Sequence, residues 1–153
     1  MRVVLDTNVV ASAMLWDGAP RQLLHAARER RLALFTSTPL LAELTDILER
    51  RKFDQKIAAS GLSINQLVDG YAQLATVVRP ANVPRIAPDP DDDVVIATAL
   101  AAKAPLIVTG DLGLLSLLKY EGITLVTVRE LIDALQTGRS IEDGIHEVAP
   151  ADR

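Results

Sequence analysis

Four carboxylates, Asp6, Glu43, Asp93 and Asp111, are the side chains of this sequence best placed to act together. Asp6 ends the apolar run Val3-Val4-Leu5, and Asp111 follows Leu106-Ile107-Val108-Thr109-Gly110. Asp93 opens the helix-like run Val94 to Lys103. In a parallel α/β sheet, residues just past the strand ends share the edge where such sheets build their sites. Three of the four acids would meet there. Carboxylates at close range cannot all stay ionised without a cation. The cluster therefore implies a hard divalent metal, Mg2+ or Mn2+ rather than zinc, and with it chemistry on phosphate.

Each acid also has a plainer explanation. Asp6 could be the N-cap of the helix after it. A cap needs one polar group, however, and Asp6-Thr7-Asn8 supplies three in a row between two apolar runs. Thr7 or Asn8 could hold the carboxylate or a water beside it. Glu43 lies about 40° from Ile47 around its helix, on the border of the apolar face. It is either a solvated helix glutamate or a side chain leaning into a cleft beside the sheet. Asp89, Asp91, Asp92 and Asp93 crowd one helix start. The helix dipole accounts for one or two of them, and the excess points to a nearby cation. Charge alone does not say which of the four would bind it. Asp111 could be an N-cap in its turn.

The remaining composition narrows the chemistry. The chain has 153 residues, one domain's worth, and is 49% hydrophobic and 24% charged. Without cysteine it has no disulfide, thiolate zinc site or thiol nucleophile. Its two histidines, His25 and His146, have no ligand-like spacing. No apolar run approaches the length of a membrane span, and no signal-peptide pattern precedes the first strand, so a cytoplasmic protein is expected. The formal charge of −4 argues weakly against a general nucleic-acid coat. Without the four site acids the remainder is neutral, so RNA stays open as a substrate. Basic residues gather at Arg28-Arg30-Arg31 and at Arg50-Arg51-Lys52 with Lys56. Solvated helix ends explain both groups, and base stacking is not expected to dominate at either.

The positioning elements follow from periodicity and breakers. Strands are expected at 2–5, 32–35, 76–78, 106–108 and 124–126. Helices are expected at about 8–15, from Pro20 to the Arg28–Arg31 group, from an N-cap at Thr38 to about Arg51, at 52–60 up to Gly61, from Ser63 through Leu74, at 91–103, at 111–119 and at 129–135. Residues 79–90 are rich in proline and must run extended. The alternation predicts one α/β domain over residues 1–136, three layers around a mostly parallel sheet. Residues 137–153 are expected to form a loosely ordered tail.

In order and spacing, four segments resemble the PIN-domain ribonucleases, especially the PIN-family toxins of bacterial toxin–antitoxin systems. They are Val4-Leu5-Asp6-Thr7-Asn8, Thr38 to Leu44 with Leu48-Glu49-Arg50, Asp93 to Ala99, and Val108-Thr109-Gly110-Asp111. The likeness covers about residues 1–135. It implies a PIN-like fold and an Mg2+- or Mn2+-dependent endoribonuclease whose metal-binding acids are Asp6, Glu43, Asp93 and Asp111. Asn8 and Thr109 match polar positions near that site. Relatives often read Thr-Gly-Asp-x-Asp-Leu-Leu, whereas this chain has Gly113 at the second acid, a role Asp91 or Asp92 could fill. With no histidine pair, the expected reaction is direct hydrolysis leaving a 5′-phosphate and a 3′-hydroxyl. The resemblance also implies a cognate antitoxin and a homodimer. Two alternatives are a catalytically weak PIN-fold scaffold for RNA or protein, and a phosphohydrolase of the haloacid dehalogenase type.

Overall fold

The computed structural model describes residues 1–86 and 89–138. Six strands form one sheet: β1 (Arg2–Leu5), β2 (Ala33–Thr36), β3 (Thr76–Val77), β4 (Leu106–Val108), β5 (Lys119–Tyr120) and β6 (Ile123–Val126), in the order β3-β2-β1-β4-β6-β5. All neighbours are parallel except β5, which runs antiparallel to β6.

The helices are α1 (Thr7–Leu15), α2 (Ala19–Arg28), α3 (Thr38–Leu48), α4 (Asp54–Ser60), α5 (Ile64–Leu74), α6 (Pro90–Ala102), α7 (Leu112–Leu115) and α8 (Val128–Thr137). Strand side chains alternate between two apolar cores. Val3, Leu5 and Val108 face the core built with α1, α2, α3, α5 and α8. Val4 and Ile107 face the core built mainly with α6 and α7. Burial on both faces explains why these strands read as continuous apolar runs. The expected three-layer α/β architecture is the observed one.

The local signals mostly act as the sequence suggests. Ser63 caps α5 through a capping box with Gln66, and Gly61 closes α4 with φ of 72°. Four details differ. Ser37, not Thr38, occupies the N-cap of α3. Its hydroxyl is not turned to the helix amides but bonds Thr98 Oγ1 of α6 at 2.8 Å. The helix stops at Leu48, and a 3-10 turn follows at Arg51–Phe53. The helix expected over 111–119 lasts one turn, because Leu118 leaves helical geometry with φ of 57°. Lys119–Tyr120 instead pairs with β6 through a two-residue turn, Glu121-Gly122, whose φ angles are 50° and 81°. Two positive φ values match the twist of a tight hairpin, and glycine takes the second without strain.

α8 extends through Thr137, with Gly138 as its cap, so the helix crosses the start of the expected tail. Residues 139–153 lie outside the described residues. Among the described residues no helix is long and apolar enough to cross a membrane.

Candidate functional site

The sheet order makes β1 and β4 neighbours while their connections leave in opposite directions. That reversal opens a crevice at the carboxyl ends of the two strands, where α/β sheets hold ligands. Asp6 follows β1 and Asp111 lies just past β4, so both sit at its mouth.

Thr109 joins them. Its buried hydroxyl donates to Asp6 Oδ2 at 2.7 Å and accepts from the Asp111 backbone N–H at 3.0 Å. The other Asp6 oxygen accepts from the Thr7 backbone N–H at 2.8 Å. Asp6 does cap α1, as the plainer reading holds, and remains part of a larger assembly. Its carboxyl is pushed above the ordinary range by burial, opposed by the bonds from Thr109 and Thr7. Asp111 caps α7 by accepting from the Leu114 N–H at 2.9 Å.

Glu43 comes from α3 and is half-buried. Burial raises its pKa, and Asp6, Asp91 and Asp89 raise it further, while the Thr7 hydroxyl favours its charged form. Glu43 thus leans toward the sheet edge rather than into bulk solvent. The Ser37–Thr98 bond ties the start of α3 to α6, which holds the helix of Glu43 against the helix of the remaining acids. Thr98 also donates to Val94 O at 2.8 Å, so Ser37 supplies the proton between the two hydroxyls.

The start of α6 separates two adjacent aspartates. Asp93 is buried and faces the preceding loop. It accepts from the Ile86 N–H at 3.2 and 3.3 Å and pairs with Arg85 Nε at 3.4 Å. Asp92 faces the other acids. Its carboxyl is raised to about 6, first by burial and then by Asp111, Asp6, Asp89 and Glu43. The four charged groups that push it up are all carboxylates. The structure therefore brings Asp6, Glu43, Asp111 and Asp92 into one field, while Asp93 latches the loop. Asp89 caps α6 through the Asp91 N–H at 3.0 Å, and Asp91 stands exposed at the rim.

Among the described residues, no three acidic side chains converge closely enough to hold one ion directly. The donor set nevertheless suits a hydrated Mg2+ or Mn2+, which is commonly bound through one or two carboxylates and otherwise keeps its waters. The Thr7 hydroxyl supports that fit: it is buried close enough to Asp6 and Glu43 to favour their charged forms, yet completes no hydrogen bond of good geometry with either, so it stays open to a water of the ion. Gly113 leaves Asp111 uncrowded. A Cβ there would stand 3.1 Å from Asp111 Oδ1.

From the acids a cleft of 330 Å³ runs along α1 past Asn8 and Ser12. A second cleft, of 450 Å³, adjoins it and is lined by the same two residues with Trp16, Lys52 and Phe53. Trp16 and Phe53 meet edge to face with centroids 5.6 Å apart. Lys52 lies over the Phe53 ring at 5.2 Å and Lys56 over the Trp16 ring at 5.5 Å. Two rings thus stand beside the Arg50–Lys56 cations, a group at which base stacking is not expected from the sequence to dominate. Phe53 directly follows Lys52 in sequence, and that signal was available; Trp16 reaches the group only through the fold. The other basic group behaves as a helix end, with Arg31 bonded to Leu135 O at 2.9 Å.

A third cleft, of 450 Å³ between α1, α2 and α5, lies apart from the acids and is lined by residues including Arg21, His25 and Tyr71.

A protein family described as "PIN domain" matches residues 2–113. No curated protein matches the chain. Among solved structures, the fold is similar to a chain of the crystal structure of VapBC2 from Rickettsia felis bound to a DNA fragment from their promoter. The TM-score is 0.56 at 15% identity, covering 83% of this chain and 98% of that one. With nearly three quarters of its length inside the family match, the chain belongs to the PIN domain family.

Proposed function

We propose that this protein is a cytoplasmic endoribonuclease that hydrolyses RNA phosphodiesters with Mg2+ or Mn2+, acting as the toxin of a toxin–antitoxin pair. The observation that carries the reading is the Thr109 hydroxyl joining Asp6 and Asp111 at the switch point of the sheet, beside an Asp92 pushed up by burial and by Asp111, Asp6, Asp89 and Glu43. Asp6, Glu43 and Asp92, each pushed up in part by neighbouring carboxylates, stand with Asp111 at a sheet switch point and form a site that a cation completes. Asp6, Glu43, Asp92 and Asp111 would hold it, one or two directly and the others through its waters, with Asp92 taking the part that the resemblance implies for Asp93. When bound, a divalent ion would activate a water and offset charge on the leaving oxygen.

The protein's own groups do the positioning. Thr109 fixes the spacing of Asp6 and Asp111 through one hydroxyl. The Thr7 backbone keeps the Asp6 carboxylate turned toward the crevice. Asn8 lines the cleft as a polar contact for a sugar or phosphate. Among the described residues the one histidine, His25, lines the separate cleft between α1, α2 and α5, so attack through the ribose 2′-hydroxyl is not the expected route. Products should carry 5′-phosphate and 3′-hydroxyl ends. The partners are a small antitoxin that sets a basic side chain against the acids, and a second copy of the chain.

The wide spacing of the acids favours a second reading, a catalytically weak scaffold that binds RNA or protein. One experiment separates the two: cleavage of mixed RNA with and without Mg2+ or Mn2+, comparing wild type with Asp6→Asn. Metal-dependent cutting lost in the variant supports the nuclease. Cyclic phosphate ends would sink the hydrolytic mechanism, and no metal-dependent cutting would leave the scaffold.

A further inference from the structure

We propose that Trp16 is the platform for an unpaired RNA base, with Lys52 and Lys56 as its phosphate contacts, on the path a strand takes to the acids. The inference rests on the ribonuclease reading for the identity of the strand. Its own support is geometric. Asn8 and Ser12 lie one turn apart on α1, and Trp16, which caps the C-terminus of the helix with its N–H bonded to Ser12 O, follows one turn on. Eight residues of helix span about 12 Å, a distance covered by a few nucleotides. The two clefts share Asn8 and Ser12, so they adjoin along α1 between Asp6 and Trp16.

The chemistry changes along that path. At one end stand carboxylates, which repel a phosphate unless a cation intervenes. At the other stand two ammonium groups and a ring that is 37% exposed. Phe53 is buried and packs against Trp16 at a steep interplanar angle of 68°, which fixes the indole while leaving it partly exposed. Lys56 now lies over that ring. An exposed cation–π contact is weak enough to yield, and the ammonium would move to the phosphate beside the incoming base. A ring flanked by cations is how single strands are held without sequence preference.

Trp16 is the one tryptophan of the chain, so its fluorescence reports on this subsite alone. The test titrates a short single-stranded RNA of mixed sequence into the Asp6→Asn protein, which should leave the RNA intact. Saturable quenching is expected. In the same background, Trp16→Leu keeps an apolar side chain against Phe53 but has no ring face. It should bind about tenfold more weakly by anisotropy of labelled RNA, and Trp16→Phe should restore most of the loss. Lys56→Ala should weaken binding and flatten its salt dependence. A thermal melt of each variant keeps a folding defect from passing as a binding one. Quenching without cleavage by wild type would support the subsite and defeat the nuclease reading. Cleavage by wild type, with no quenching and unchanged affinity in Trp16→Leu, would overturn the subsite and mark the ring as a face for protein. Absence of RNA binding would overturn it as well.

Discussion

Asp92 and Asp93 are chemically identical neighbours that should respond in opposite directions to the same substitution. Asp92→Asn removes a charge that its surroundings oppose. The rise from 3.8 to about 6 corresponds to at most about 3 kcal/mol between its charged and neutral forms. Asp92 is only part-buried, so water screens much of this, leaving a gain of about 1 kcal/mol at pH 7 without divalent metal. For a chain of this size that raises Tm by roughly 3 °C. Asp93→Asn weakens the Arg85 pair and the bonds from the Ile86 N–H, and should lower stability by about 1–3 kcal/mol.

The pH profile sharpens the Asp92 test. Its folded-state pKa is raised, so the folded protein holds more protons than the unfolded chain between pH 3.8 and about 6. Stability contributed by the neutral acid is present at the low end and is lost as pH rises through that window. Asp6 and Glu43 are raised too and add to the same trend. Wild type and Asp92→Asn should therefore converge near pH 4 and separate toward pH 7. Thermal and urea melts in EDTA across this range provide the measurement. Saturating Mg2+ should then stabilise wild type more than Asp92→Asn, by mass action on the folded state. Destabilisation by Asp92→Asn at pH 7, or stabilisation by Asp93→Asn, would refute this assignment of the two side chains.

Three further outcomes test the supports of the site. Thr109→Val deletes the donor to Asp6 and the acceptor for the Asp111 N–H, and should cost about 1.5–3 kcal/mol in melts while raising the Asp6 pKa further, read by NMR titration. Gly113→Ala places a methyl 3.1 Å from Asp111 Oδ1; it should shift that carboxylate by a few tenths of an ångström and lower cleavage severalfold with little change in Tm. Ser37→Ala removes one buried bond between α3 and α6 but leaves Thr98 bonded to Val94 O, so about 1 kcal/mol should be lost in a denaturant melt.

The sheet was legible because its strands are short apolar runs, each closed by a polar residue, a glycine or a proline. Asp6 and Asp111 were legible for the same reason: a strand end is visible in sequence, and the sheet order puts the two side by side. The edge strand β5 was missed although Glu121-Gly122 is a recognisable turn, because Leu112 to Leu118 reads as a continuing helix. Trp16 was missed because its partners Lys52, Phe53 and Lys56 come from a distant segment.

The phase of α6 was beyond reach for a different reason. A helix with one apolar stripe announces which side faces the core. In α6, Val95, Ile96, Ala97, Thr98 and Ala99 are all buried in succession, so no stripe fixes the rotation at its start. Successive residues differ by about 100°, and that turn decides whether an aspartate joins the carboxylates or the loop. The loop settles it. Arg85 and the Ile86 N–H hold Asp93, and the aspartate one residue earlier, about 100° around the helix, lies in the field of Asp111 and Asp6. Asp93 then belongs with the site as the anchor that sets the rotation of α6. Its substitution should harm activity through the position of Asp92, a route that a ligand count alone would not reveal.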